Sequence, residues 1–503
     1  SSESQMNRLL SLWVLVLHAA GIASPLATLP AEVKKPDYDR AVRSRGIVHI
    51  GPGAFHRAHQ AVYTDMAMAY GGNWRITGVS MRSATLKQKL AGQDNLYSLV
   101  VLDNEPYVQV IGAFDSVLVL NEDREAIMAA LTDANTHIIS LTITEKGYCL
   151  ASNGELDTSH ADIMHDLSNP DEPVSAVGLI VSALKHRFEQ QQADITVISC
   201  DNLADNGKKL AKAVLQFAEK IQPELAHWIE QNIAFPCTMV DSITPATDEA
   251  LISLAADKLG VEDAWPIQRE GFTQWVVEDK FSGPRPAWEK VGVTFTDDVA
   301  AFENAKLRIL NGTHSTLAYT GILLGKETVY EAISDSALEA FIGRLLSDEI
   351  IPSINAEGVM DLPAYAEDIL NRYKNRHIRH LLAQIAWDGS QKLPFRVLNT
   401  VRDILKLGQQ AKLLCVPIAA WILFIAKRAS DQEELVDPLA ETLIGLANQH
   451  QGDLAALGAA VLNLPQVFAE LTANKWFKDT VLEYVKVLSS INGDNAADVL
   501  GAL

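Results

Sequence analysis

Cysteine is scarce and scattered. The four, Cys149, Cys200, Cys237 and Cys415, lie far apart in 503 residues, and no two form a CxxC pair. That spacing excludes a zinc-knuckle pattern and a disulfide framework, so no metal site is expected and reduced thiols in a cytoplasmic protein are. Positive charge is also short: 42 Lys and Arg face 63 Asp and Glu, for a net charge of −21. A chain this acidic repels phosphate backbones and anionic bilayers, so neither a nucleic-acid nor a membrane partner is expected. The one apolar run near the N-terminus, residues 9–17, is too short to span a bilayer. Preceded by Met6-Asn-Arg8 and followed by the small residues of 18–24, it reads as a secretory signal or as a plain helical extension, and residues 1–29 are set aside as such. Internal repeats and low-complexity linkers are missing as well, which leaves an ordinary globular chain, long enough for two or more domains.

Between residues 30 and 297 strand and helix patterns alternate. Gly46-Ile-Val-His-Ile50 reads as a strand, Gly51-Pro-Gly53-Ala-Phe-His56 follows at once, and a helix pattern covers 57–70. Strand, glycine turn and helix is the setting in which a backbone approaches a pyrophosphate, although His56 stands where a third glycine would be and a ligand-free turn reads equally well. A second strand, 74–81, runs into Arg82, and no Asp or Glu occurs between Trp74 and Gln93 to hold ribose hydroxyls. Arg82 and Lys87 either face a 2′-phosphate, which makes NADP(H) an alternative to NAD(H), or face solvent. Further strands are predicted at 97–102, 107–111, 137–144 and 195–199, with helices at 124–132 and 176–191. The alternation predicts an at least partly parallel α/β sheet. Polar clusters at three strand ends, Thr144-Glu145-Lys146-Gly147-Tyr148, Ser199-Cys-Asp201-Asn202 and Met239-Val-Asp241, are site candidates by position, or simply turns.

From 298 to 503 the texture is helical: 300–323, 336–351, 363–373, 376–386, 396–407, 414–427, 436–450, 453–462 and 476–489. The first of these carries Lys306-Leu-Arg-Ile-Leu-Asn311-Gly-Thr-His314. Asn311 and His314 are neighbours on an ideal helix, whereas Lys306 lies about 12 Å of rise below His314. They converge only if Lys306 reaches up or the helix deforms near Gly312. An amine, an amide and an imidazole brought together suit removal of an alcohol proton as its hydride leaves, because a desolvated lysine can serve as a base near neutral pH. The bland reading is a helix with a snorkelling lysine and a satisfied core histidine.

Taken together, Gly51-x-Gly53-x-Phe55-x-Arg57-x-His59, Thr-Glu-Lys-Gly-Tyr at 144–148, Ser199-Cys-Asp-Asn202, Trp275-Val-Val-Glu-Asp-Lys280 and Lys306-x4-Asn311-x2-His314 resemble the polyol-specific long-chain dehydrogenases. The resemblance implies a Rossmann-type domain, a mainly helical C-terminal domain, and metal-independent hydride transfer between NAD(H) and a secondary alcohol or ketone. It gives Lys306 the role of general base or acid, Asn202 and Asn311 that of oxyanion donors, and His314 and Asp241 that of substrate contacts. Gly51, Gly53, Ala54, Phe55 and Glu145 would line the cofactor. The partner would be a small sugar acid or polyol, and the protein a monomer or weak homo-oligomer. Other designs fit poorly: none of the 11 tyrosines has Lys four residues on, and zinc-ligand cysteine spacing is missing. The block from Gln384 to Pro394, with Lys146, is closer to the fructuronate-reducing members than to the mannitol-oxidising ones. Lys146, Lys392, Arg379 and His380 are therefore candidates to hold a substrate carboxylate, with Gln384 beside them. Mannitol or fructose is the alternative substrate, and a non-catalytic dinucleotide-binding protein the remote rival.

Overall fold

A computed structural model describes residue 5 and residues 25–503, so the signal-like run at 6–24 lies outside the described residues. The chain divides between Ala300 and Ala301 into two compact units. The α/β region followed by a helical region, expected from the alternation of patterns, is what the chain forms.

Among the described residues the first unit contains eleven strands: β1 (Arg45–Ile50), β2 (Arg75–Ser80), β3 (Tyr97–Leu102), β4 (Tyr107–Ile111), β5 (Phe114–Val119), β6 (Ile138–Leu141), β7 (Thr196–Ser199), β8 (Thr238–Asp241), β9 (Ile267–Glu270), β10 (Gln274–Glu278) and β11 (Thr294–Thr296). Five form one sheet in the order β5-β2-β1-β6-β7, with every pairing parallel. Helices cover both faces, so β1, β6 and β7 are buried almost throughout rather than in alternation, as β6 (Ile-Ile-Ser-Leu, all buried) illustrates. On one face Ile127, Leu131, Leu179, Leu184, Leu210 and Phe217 pack against Val48, Ile139 and Val197. On the other, Ala58, Ala61 and Met68 pack with Ile76, Trp275 and Trp288. The chain builds outward from β1 through β2 to β5, then crosses back to β6 and β7. Direction therefore reverses between β1 and β6, and the crevice such a reversal opens lies at their carboxyl ends. Two three-stranded sheets, β4-β3-β9 and β11-β10-β8, complete the unit.

Two expectations change in detail. The helix predicted over 57–70 begins earlier and is broken: Ala54–Ala58 and Gln60–Ala67 meet at His59, whose backbone is non-helical (φ −123°, ψ −88°) and whose Nε2 meets the Gln274 carbonyl at 2.9 Å. The strand predicted over 137–144 ends at Leu141, because the next amides turn toward a carboxylate described below.

The second unit is helical around Cys415–Ser430, buried from Cys415 through Ile425 and packed between Gly312–Leu323 and Lys475–Leu488. The helix predicted over 376–386 shrinks to Leu382–Ile385. Residues ahead of it are extended instead: Leu381 bridges Thr328, and the His380 carbonyl accepts from the Val329 amide at 3.0 Å. Three stretches, Lys306–Asn311, Leu346–Ile350 and Pro394–Leu398, are π-helical.

Candidate active site

At the end of β1 the chain turns at Gly51, where φ is +84° and an added Cβ would lie 2.3 Å from the Thr142 carbonyl oxygen. Only glycine fits there. Thr142, just past β6, donates its hydroxyl to the Gly51 carbonyl at 2.7 Å, tying the two strand ends that flank the crevice. Gly53 differs: it is exposed, a Cβ would meet nothing within 4 Å, and it opens the helix Ala54–Ala58. An open backbone at the second glycine of such a turn is the cradle that a pyrophosphate requires. Ala54 and Phe55 follow, half-buried.

The missing third glycine has a physical substitute. The His56 ring stacks on His49 of β1, centroids 3.3 Å apart and planes within 9°, so helix and strand meet through two imidazoles. His49 is held by Ser140 (Nδ1, 2.7 Å) and Thr142 (Nε2, 2.8 Å). Burial pushes its pKa down to about 3 and that of His56 well below the usual value, so both rings are neutral.

Arg82 lies past the end of β2 with 91% of its side chain exposed, 3.9 Å from Asp162. Lys87 does not share that freedom: it is fastened to Asp123 at 2.8 Å and Glu122 at 3.3 Å. Glu145 and Lys146 are exposed in the 3₁₀ turn Glu145–Tyr148 that follows β6. Asn202, exposed, stands just past β7, and Asp241, buried, closes β8.

In the second unit the helix does deform, though one turn earlier than Gly312. Across Lys306–Asn311 the backbone is π-helical, and the Gly312 amide reaches back to the Leu307 carbonyl. A bond spanning five residues puts Lys306 one turn from Asn311 on the same face, and the α-turn that follows adds His314 to that face. The widened turn is braced from outside. Tyr373 donates its hydroxyl to the Leu310 carbonyl (2.8 Å) and also meets the Thr313 hydroxyl (2.8 Å). Arg308 is anchored on Ser353 and ion-paired with Asp403.

His314 lies between two rings, parallel to Tyr373 at 5.7 Å and edge-on to His380 at 4.7 Å. Burial, followed by repulsion from His380, Arg396, Arg372 and Lys392, holds its pKa well below the ordinary value, and burial and Lys392 lower that of His380 as well. Lys392 donates to the Ile385 carbonyl (3.2 Å) and Arg396 to the Ser315 hydroxyl (3.2 Å). Among the described residues neither forms an ion pair with a carboxylate. Burial, then Arg396, lowers the Lys392 pKa, with Asp388 opposing, and burial lowers that of Arg396.

Of the residues singled out in sequence, His314, His380 and Lys392 share one neighbourhood, and Lys306 and Asn311 lie on the same helical stretch as His314. Arg379 does not join them: it is 66% exposed and paired with Glu327 at 3.3 Å. Gln384 is exposed on the short helix Leu382–Ile385. Arg396 and Tyr373 were missed. The spacing of Arg396 four residues beyond Lys392 could have pointed to it; nothing local marks Tyr373.

Comparison with known proteins agrees with this layout. Residues 45–290 match the model of the mannitol dehydrogenase Rossmann domain and 298–489 that of the mannitol dehydrogenase C-terminal domain. The chain is 42% identical over 451 residues to the uncharacterized oxidoreductase YeiQ of Escherichia coli, covering 88% of this chain and 92% of that one. It is 40% identical over 447 residues to the D-mannonate oxidoreductase of the same organism, covering 87% and 92%. The Pseudomonas fluorescens mannitol 2-dehydrogenase, solved as a ternary complex with NAD and D-mannitol, superposes with a TM-score of 0.73 at 36% identity, covering 95% of this chain and 98% of that one.

Proposed function

Because the chain belongs to the mannitol dehydrogenase family of oxidoreductases, we propose that it uses NAD(H) to reduce the ketone of a hexuronate, D-fructuronate to D-mannonate, and runs the reverse oxidation. Residues 30–297 are assigned to the dinucleotide and 298–503 to substrate and proton transfer. The observation that carries the substrate class is the cationic surround of His314. Arg396, Arg372 and Lys392 all act on one neutral imidazole, and Lys392 and Arg396 have no ion-pair partner among the described residues. Lys392 and Arg396 are half-buried, and positive charge partly withdrawn from water without a counter-ion favours a ligand that supplies one; a sugar acid carries a carboxylate where a polyol carries only a hydroxyl. The name of the 40% identical D-mannonate oxidoreductase points the same way.

The Gly51-Pro-Gly53 turn fits a dinucleotide on its own geometry, because the position where a Cβ would be blocked is glycine and the open position is exposed. NAD(H) when bound supplies or accepts the hydride. This chain's residues handle the rest. Lys306 takes the hydroxyl proton in oxidation and returns it in reduction. The Asn311 amide donates to the oxygen whose charge changes, and Asn202 keeps the role that the family resemblance gives it. His314, being neutral, holds a substrate hydroxyl without adding charge, and Asp241 keeps the role that the family resemblance gives it. Preference for NAD(H) over NADP(H) rests on Lys87, whose ammonium is already bound by two carboxylates.

Initial rates of NADH and NADPH oxidation with D-fructuronate and D-fructose, side by side, test the reading. Much faster reduction of fructuronate with NADH is expected. Faster reduction of fructose would make the protein a mannitol 2-dehydrogenase, and faster use of NADPH would give Arg82 a phosphate to bind.

A further inference from the structure

The segment after β6 adopts a backbone its residues disfavour. Thr144 has φ +64° and ψ 167°, a region almost reserved for glycine, and Cys149, at the other end of the short turn, has φ +53°. One side chain holds both ends. Asp201, 8% exposed just past β7, accepts the Thr144 amide at 2.9 Å on Oδ1 and the Ile143 amide at 3.2 Å on Oδ2. Oδ2 also accepts the Tyr148 hydroxyl at 2.5 Å, and Ser199 contacts the same hydroxyl. The backbone around Asp201 is fixed in turn, since the Asn206 amide donates to its carbonyl at 3.0 Å. The Thr142 hydroxyl, two residues ahead of Thr144, meets the Gly51 carbonyl. The clamped segment is therefore a wall of the crevice between β1 and β6, continuous with the Gly51-Pro-Gly53 turn.

We propose that Asp201 is a positioning residue for the dinucleotide. By binding the Ile143 and Thr144 amides and the Tyr148 hydroxyl, it imposes the glycine-like conformation of Thr144 and sets the crevice wall against which the cofactor packs. Three donors converging on one carboxylate, with no cation bonded to it among the described residues, suit it to hold backbone rather than to exchange protons with substrate. This inference rests on the dinucleotide reading of the crevice but not on the substrate.

The test measures NADH affinity of the full chain by quenching of protein fluorescence. Wild-type protein that fails to bind NADH would overturn the cofactor reading itself. With wild-type binding in hand, Asp201→Asn should raise the NADH Kd about tenfold or more, since a lost charged hydrogen bond is worth at least that factor. Adding Thr144→Gly removes the penalty of the conformation that Asp201 imposes, so the double variant should recover most of the affinity; a merely structural role would give no such rescue. Unchanged affinity in Asp201→Asn, or no recovery in the double variant, overturns the proposal. If Asp201→Asn does not fold, Tyr148→Phe, which removes one donor, carries the test: a rise of about threefold supports the clamp and an unchanged Kd refutes it.

Discussion

Replacing Gly51 with alanine attacks the dinucleotide turn at a point where neither side can yield easily. The new Cβ would sit 2.3 Å from the Thr142 carbonyl oxygen and 3.2 Å from its carbon, against an ordinary contact near 3.4 Å. Relief needs about 1 Å of separation (3.4 − 2.3 = 1.1 Å) between the ends of β1 and β6. That movement pulls on the Thr142 hydroxyl bond to Gly51 and on the Thr142 amide bond to the Ile50 carbonyl at 3.0 Å. An L-residue at φ +84° costs roughly 1–2 kcal/mol, and forcing an extra methyl into packed backbone about 1–3 kcal/mol more. A loss of about 2–5 kcal/mol is expected, with NADH affinity falling by an order of magnitude or more as the turn shifts. Urea unfolding followed by circular dichroism reads the first, and fluorescence titration with NADH the second. A variant within about 1 kcal/mol of wild type that binds NADH normally would refute the argument that this turn is locked in place and forms the cofactor cradle.

Lys392→Met, which keeps the stem and removes the charge, should raise KM for fructuronate tenfold or more and leave NADH affinity and fructose reduction nearly unchanged; parallel steady-state kinetics on both substrates decide it. Asp65 supplies a pH prediction. Burial, only partly offset by the Tyr38 hydroxyl (2.7 Å) and the Gly112 amide (3.0 Å), raises its pKa from 3.8 to about 6. A carboxyl whose native pKa is raised binds more protons folded than unfolded. Its relative stabilisation is complete below pH 3.8 and is lost as pH rises through about 6, a swing of about 3 kcal/mol at most. In Asp65→Asn the stability profile between these values should be flatter than in wild type, and an unchanged slope in urea titrations would remove Asp65 from that account.

How far the residues alone led depended on whether a contact was local. Tyr97–Leu102, Tyr107–Ile111 and Arg124–Thr132 form over the predicted ranges, because their apolar patterns and flanking turns settle them without help. The strand after residue 137 stops short because of Asp201, some sixty residues away, which no window of sequence contains. β5 escaped notice because Asp115 and Ser116 interrupt its apolar run; the Asp115 carboxylate accepts from the hydroxyls of Thr77, across the fold, and of Ser116 beside it. The spacing of Lys306, Asn311 and His314 left two routes to convergence, a reaching lysine or a helix deformed near Gly312, and the helix is deformed. That spacing could not say that the deformation is a π turn before Gly312, since Tyr373 and Arg308 brace that turn through partners far along the chain. Arg379 shows the opposite failure: a plausible cation on sequence, it is occupied by Glu327 on the surface.

The central claim is that the π turn presents Lys306 as the group that moves the proton. Lys306→Ala, assayed for turnover on fructuronate and for NADH binding in the same preparation, tests it most directly. In that variant kcat should fall by about 10²–10⁴-fold, the range for loss of a general acid or base, with NADH affinity within about twofold of wild type. Near-normal turnover in that variant would contradict it.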